Sequence, residues 1–167
     1  MNLEQYLERI ALQEERLQFS RFNADTAWTV GSRLRAVAEK RKGAVAIDIQ
    51  LNGHPLFFSA MAGTTPDNID WIRRKRNVVL RYHRSSYAIG LDLKQQQTSL
   101  SERVGVDVRD YAPHGGCFPI KLRGTGCIGT VTVSGLPQRE DHELIVEVLA
   151  EHLEQPFEEL SLDTLPG

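Results

Sequence analysis

Apolar residues recur along the chain with two different periods, and the stretches that carry these periods alternate. A spacing of three and four residues, as in Leu3, Tyr6 and Ile10, is typical of an amphipathic helix. The predicted helices cover residues 3–14, about 25–42, 66–83, from Ser85 or Ser86 toward Leu100, and 137–155. Residues 101–113 carry Gly and Pro without either period, so we expect a loop there.

Shorter apolar runs predict four strands, at residues 44–51, 54–60, 117–122 and 127–133. Asn52-Gly53 is the preferred pair for a type I′ hairpin turn, so the first two strands pair antiparallel. Pro55 and Pro119 favour edge positions or bulges. The continuous apolar run at 127–133 indicates a central strand covered on both faces, and residues 17–19 form a short strand or an extended link. The pattern predicts one antiparallel sheet with helices packed on it, an α+β fold.

The chain of 167 residues fits a single domain. We expect residues 1–155 to form this domain, with helix 3–14 as an arm and residues 156–167 as a loosely ordered acidic tail. A net charge of −2 argues against a protein that binds polyanions through bulk charge, and nucleic acid is not an expected partner. No apolar run approaches the roughly 20 residues that span a bilayer, so a cytoplasmic location without membrane contact is expected.

Neither the cysteines nor the common catalytic motifs identify a reaction for this chain. Cys117 and Cys127 form no CxxC pair, which argues against a structural zinc site. A disulfide between neighbouring strands is geometrically possible, but cysteines are usually reduced inside cells. No GxSxG, Walker A, GxGxxG or HExxH motif occurs, so the sequence leaves open whether the protein is an enzyme.

A larger pattern joins these elements over roughly residues 15–153. Its residues are Gly115-Gly116, Phe118-Pro119-Ile120, Ile128–Gly135, Glu140-Asp141-His142, Ile47-Asp48-Ile49, Gly63-Thr64, Pro66-Asp67-Asn68, Trp71 and Arg84-Ser85-Ser86. This arrangement resembles the GlcG/HbpS-like haem-degrading domain family, and within it the branch of small uncharacterised proteins.

The resemblance implies a profilin-like α/β sandwich, in which a five-stranded antiparallel sheet has helices on both faces. It also implies self-association into a homo-oligomer, a dimer or larger. Named members are linked to haem binding and degradation and to corrinoid handling, so haem or another tetrapyrrole is the implied cofactor. Since a fold does not by itself transfer an activity, haem degradation rests on the family name alone.

His114, Gly115 and Gly116 are the first candidate site. A loop imidazole at a sheet edge can ligate haem iron or act as a base. The two glycines can present backbone N–H groups to an anion. The alternatives are a histidine bonded to local backbone and glycines required only by a tight turn.

His142 is the second candidate, in the first turns of the last helix beside Glu140 and Asp141. A carboxylate can orient its ring, so His142 and His114 are candidate metal ligands if the loop and the helix meet. The alternative is a histidine that caps the helix or contacts another subunit.

The basic residues of the third helix are the last candidates. Arg76, Arg81 and Arg84 belong to a cluster of six among the chain's 20 Lys and Arg residues. Guanidinium groups suit carboxylate or phosphate, such as a haem propionate or a small organic anion. The alternative is a solvated surface or salt bridges across a subunit interface.

Two hypotheses of function follow. In the first, the protein binds haem, a related tetrapyrrole or a small organic anion at a loop or subunit edge, with slow haem-degrading activity as an extension. In the second, it is a non-catalytic oligomeric assembly module that binds a protein partner.

Overall fold

The computed structural model describes residues 1–166. These residues form one antiparallel sheet surrounded by helices, which confirms the α+β prediction. The strands are β1 (Ala46–Leu51), β2 (His54–Ala60), β3 (Cys117–Leu122) and β4 (Gly126–Ser134). The helices are α1 (Leu3–Arg16), α2 (Ala24–Lys40), α3 (Pro66–Tyr82), α4 (Ser86–Gln95), α5 (Leu100–Val104), α6 (Gln138–His152) and α7 (Phe157–Leu160), followed by a 3₁₀ turn (Leu162–Thr164).

The strands lie in the order β2-β1-β4-β3, and each neighbouring pair is antiparallel. The predicted hairpin turn is confirmed, because Asn52 (φ 49°) and Gly53 (φ 80°) both take the left-handed backbone of a type I′ turn. Pro55 and Pro119 lie in the two edge strands, where a missing N–H is tolerated. The prediction of a central position for β4 is also confirmed.

The sheet has four strands, so the five strands implied by the family resemblance are a wrong expectation for residues 1–166. The segment between α1 and α2 meets the sheet at one position only. There Phe19 forms a parallel bridge with Leu122, its N 2.8 Å from the Lys121 carbonyl oxygen and its own carbonyl oxygen 2.9 Å from the Arg123 N.

The two faces of the sheet differ in polarity. α2 and α6 cover one face, and α3 crosses the other. The first face is apolar and contributes Ile47, Ile49, Phe118, Ile120, Val131 and Val133 to the main core cluster. The α3 face carries buried polar side chains, including Asp48, Thr130 and Thr132. Helices cover β4 on both faces, as predicted, and the alternate residues of the strand that face α3 are threonines.

The C-terminal residues are ordered, contrary to the predicted loose tail. α7 packs against α1 and α6, and Leu160 and Leu162 are fully buried. The Arg9 guanidinium donates to the Ser161 carbonyl oxygen at 2.6 Å and to the Thr164 hydroxyl at 2.7 Å. α1 and the C-terminal segment (residues 157–166) therefore hold each other against the sheet domain.

Two smaller differences concern the region before β3. α4 ends at Gln95 and does not reach Leu100, since Gln97 takes a left-handed backbone (φ 54°). α5 then occupies the beginning of the predicted loop, with its N-cap at Ser99. No helix within residues 1–166 has both the length and the apolar character needed to cross a membrane.

Candidate functional site

His114 lies in the loop that joins α5 to β3, and its side chain is exposed to solvent. It lines a cleft of about 310 Å³ between α3 and the beginning of α6. The other lining residues are Asp67, Asn68, Trp71, Lys75, Ser134, Gly135, Leu136, Gln138 and Asp141. We call this space the His114 cleft.

A second cleft of about 310 Å³ lies on the α4 side and is also lined by His114 and Gln138. Its walls include Tyr87, Leu91 and Lys94. His114 thus stands between two open spaces, one lined by α3 and one by α4. The two clefts share His114 and Gln138 as lining residues.

The two glycines fix the loop against α6 and β4. The Gly115 N–H donates to Gln138 Oε1 at 3.0 Å, so it is already occupied within the chain. A Cβ at Gly115 would lie 2.2 Å from the Gln138 carbonyl oxygen, and one at Gly116 would lie 2.5 Å from the Val133 carbonyl oxygen. Gly116 also has a φ of 132°, which L side chains rarely adopt. These contacts favour the tight-turn alternative for both glycines.

The His114 ring is held by aromatic contact. It meets Trp71 edge-on, with 5.6 Å between ring centroids, and the Arg74 guanidinium lies 4.6 Å from the centre of the Trp71 ring on α3. Partial burial and the positive charges of Lys75 and Arg74 lower the pKa of His114. The imidazole is therefore neutral at pH 7, the form that ligates a metal ion.

Lys75 and Asp141 form a buried ion pair beside the His114 cleft. Lys75 Nζ lies 3.1 Å from Asp141 Oδ2 and 3.2 Å from the Val133 carbonyl oxygen. Asp141 also accepts from the N–H groups of Leu136 at 2.9 Å and Gly135 at 3.4 Å. Burial outweighs these contacts and raises the pKa of Asp141 to about 6. The ion pair links α3 to α6 and β4 beside the His114 cleft.

His142 lies in a different environment from His114. It is fully buried, with Tyr87 and Phe118 at 5.1 and 5.9 Å between ring centroids. Its Nε2 lies 2.8 Å from Gln13 Oε1, and burial lowers its pKa to about 3. The structure therefore places the two predicted histidines in separate surroundings, and His142 lines neither cleft.

No group of three or more His, Cys, Asp or Glu side chains suited to a metal ion occurs within the described chain. Both cysteines are free, which agrees with the expected reduced state. Burial raises the pKa of Cys117 to about 12, so this thiol is no nucleophile at neutral pH.

The predicted basic residues of α3, and Arg84 just after it, largely contact other parts of the chain. Arg76 binds Asp48 at 3.0 Å, and Arg84 lies 3.7 Å from Glu14. The Arg81 guanidinium lies 5.8 Å from the centre of the Tyr82 ring. These contacts favour structural pairing within the chain for Arg76 and Arg84.

Sequence reasoning did not identify Lys75, Gln138 or Asp141 as site residues. Lys75 is one of the six residues of the basic cluster, and Asp141 is predicted only as an acid that could orient His142. Their partners lie more than 20 positions away in the chain, so neither periodicity nor local spacing signals the contact.

A sequence model described as "Haem degrading protein HbpS-like" matches residues 22–150. The chain belongs to the HbpS-like family. A UPF0303 protein of Azotobacter vinelandii is 67% identical over 165 residues, covering 99% of this chain and 99% of that relative. The recognised family branch of small uncharacterised proteins is thereby confirmed.

Solved structures of other proteins share the fold. The Ybr137w protein is 35% identical with a TM-score of 0.82, covering 89% of this chain and 87% of that one. PduOC, solved as a haem complex, is 15% identical with a TM-score of 0.60, covering 74% and 88% of the two chains. At that identity PduOC supports the fold alone.

Proposed function

We propose that this HbpS-like chain binds haem or a related tetrapyrrole, with His114 as the iron ligand. The observation that carries the proposal is the position of a neutral, solvent-exposed imidazole between two clefts. Each cleft is at the lower limit of the roughly 300–1,000 Å³ typical of ligand pockets. A flat ligand centred on His114 extends over both.

The residues around His114 fit a haem group. A histidine is a common proximal ligand of haem iron, and Trp71 offers an aromatic surface beside it. Lys94 on the α4 side carries a positive charge suited to a propionate. Iron bound here would supply redox chemistry, while the chain itself would orient the ligand. The haem complex of the distant relative PduOC makes haem the first tetrapyrrole to test.

The other predicted site residues do not contact the iron in this proposal. They are Gly115, Gly116, Arg76, Arg81 and Arg84. Gly115 holds the loop next to His114 through the contact with Gln138, and Gly116 lies against the Val133 carbonyl oxygen. Arg76 fixes α3 to β1 through Asp48, whereas Arg81 and Arg84 lie near the C-terminal end of α3. His142 is proposed to maintain the core below the loop and not to ligate the iron.

An absorbance titration of the purified protein with haemin tests the proposal. We expect a sharp Soret band that saturates near one haem per chain and elutes with the protein in size exclusion. Metal-free protoporphyrin is the matched control, because it keeps the ring and the propionates but offers no iron to His114. A flat titration, or equal binding of both compounds, contradicts iron ligation. Loss of the band with reductant and oxygen would then test haem degradation separately.

Self-association is a second proposal, favoured by the exposed surface around β2. Trp28 and Phe58 are 68% and 50% exposed, and they flank the free edge of this strand on the two faces of the sheet. An unpaired strand edge with exposed aromatic residues suits pairing with a second copy. Analytical ultracentrifugation of the wild type and of Phe58→Lys tests this, and a monomer in both cases contradicts it.

A further inference from the structure

A separate cavity of about 330 Å³ lies between the end of α2, the beginning of α6 and the C-terminal segment. Its apolar lining includes Ala38, Leu136 and Leu144. Its charged lining is Arg41, Arg139, Glu140, Glu143 and Asp163, none of which lines either cleft at His114. The cavity shares Leu136 with the His114 cleft, but its charged residues belong to it alone.

Two lining side chains each carry a buried polar atom without a hydrogen-bond partner, namely Arg139 Nε and Glu143 Oε2. They lie one turn apart on α6, at positions i and i+4. A buried donor or acceptor left without a partner is energetically unfavourable. Since one atom is a donor and the other a carboxyl oxygen, a molecule that accepts at one end and donates at the other would satisfy both.

The other half of each side chain is already held in place. Arg139 Nη2 binds Asp163 Oδ1 at 2.9 Å. Glu143 Oε1 accepts from the Ser161 hydroxyl at 3.3 Å and from the Leu162 N–H. Arg41, on the α2 side, is bound to Glu147. The two side chains are therefore fixed at their other polar atoms. Because Arg139 Nε and Glu143 Oε2 are buried, a rotation of these side chains must open the two atoms to a ligand.

We propose that this cavity binds a small zwitterion, an aliphatic α-amino acid. The ligand carboxylate would accept from Arg139 Nε, and its ammonium group would donate to Glu143 Oε2. Glu140 adds negative charge on the ammonium side, and Leu136, Leu144 and Ala38 offer apolar contact to the side chain. A cavity of about 330 Å³ admits only molecules of few heavy atoms.

The ionisation of Glu143 supports the assignment. Burial and the charge of Asp163 raise the pKa of Glu143 to about 7, although Arg139, the Leu162 N–H and Ser161 act in the opposite direction. A ligand ammonium would favour the carboxylate, so binding at pH 7 would release protons. Calorimetry in two buffers of different ionisation enthalpy would detect this release.

Heteronuclear NMR of the full chain provides the main test. L-leucine is titrated against 4-methylpentanoate, which lacks the ammonium group, and 3-methylbutylamine, which lacks the carboxylate. L-alanine, L-valine and L-methionine complete the panel. We expect saturable shifts at Leu136, Arg139 and Glu143 with at least one amino acid, and at least about tenfold weaker binding of both truncated compounds.

Variants test the two contacts separately. Glu143→Gln keeps the shape and removes the charge, and Arg139→Met removes the donor; each should weaken binding by at least about tenfold. Arg33→Met, which breaks an exposed pair with Glu151 outside the cavity, is the control. The proposal is overturned if no amino acid shifts these resonances up to about 10 mM, or if 4-methylpentanoate binds as tightly as L-leucine.

Discussion

The Nε2 atom of His142 lies 2.8 Å from Oε1 of Gln13, although 129 positions separate them in the chain. The Gln13 amide nitrogen donates in turn to the Leu160 carbonyl oxygen at 2.8 Å. Both bonds are buried. One amide side chain therefore joins the family domain at residues 22–150 to α1 and α7, which lie outside that match.

Replacement of Gln13 tests this junction. Gln13→Met keeps the side-chain volume but leaves the His142 N–H and the Leu160 carbonyl without their partner. We expect a loss of about 2–4 kcal/mol in the free energy of unfolding, measured by urea denaturation. Gln18→Met is the control, since the Gln18 amide is exposed and bonds only to the nearby Glu15 carbonyl. Equal stability of the two variants would contradict the role of Gln13.

The buried His142 should also make stability depend on pH. Its folded pKa of about 3 lies below the unfolded value near 6.5, so the neutral form is favoured in the native state. This contribution is complete above pH 6.5 and is lost as pH falls toward 3. Relative to His142→Gln, the wild type should therefore lose up to about 1.4 kcal/mol per pH unit below 6.5.

Urea denaturation at pH 7.5, 6.5 and 5.5 measures this difference. Glu143, whose raised pKa of about 7 acts in the opposite direction, is present in both proteins and cancels. The same holds for Asp141. Parallel stability curves for the wild type and His142→Gln would show that His142 does not titrate differently in the native state.

The strands of the sheet could be predicted from the sequence because the patterns that indicate them are local. The left-handed Asn52-Gly53 turn, the edge prolines and the β-branched run of β4 each depend on neighbouring residues. The fifth strand and the loose tail were wrong because they depend on tertiary packing. Phe19 forms a single bridge to the sheet, and Leu160 and Leu162 are buried because the C-terminal segment packs against α1 and α6.

The site was predicted less well than the fold. His114 is exposed beside the two clefts, as the loop position suggested, but a helical histidine next to two acids gave no sign of full burial. The sequence also does not distinguish the basic residues of α3 that form ion pairs from those that are free. Only the packing shows that Lys75 meets Asp141, Arg76 meets Asp48 and neither is free for a ligand.

Breaking the Lys75–Asp141 pair should strongly destabilise the fold. Lys75→Met leaves a buried carboxylate without its cation, which costs about 3–5 kcal/mol. Adding Asp141→Asn removes the charge while keeping an acceptor for the Leu136 N–H, so the double variant should recover part of this loss. Lys40→Met, at an exposed position on α2, is the control. Thermal or urea unfolding that ranks the double variant below Lys75→Met would contradict this account.

The glycine loop should tolerate no side chain at Gly116. Gly116→Ala combines a φ of 132° with a Cβ 2.5 Å from the Val133 carbonyl oxygen, so both strain and a backbone clash oppose it. Gly124→Ala shares the positive φ, at 77°, but its Cβ has open space. We expect Gly124→Ala to lose about 1 kcal/mol and Gly116→Ala clearly more. Equal losses in urea denaturation would mean that the loop relaxes around the new methyl group.

The most direct test of the proposed function compares haemin titrations of His114→Ala and His54→Ala. Both replace an exposed histidine, but His54 lies at the beginning of β2 and lines neither cleft at His114. We predict that His54→Ala keeps the wild-type Soret band and affinity, that His114→Ala loses at least about tenfold in affinity, and that added imidazole restores the band position. Identical titrations of the two variants would contradict iron ligation by His114.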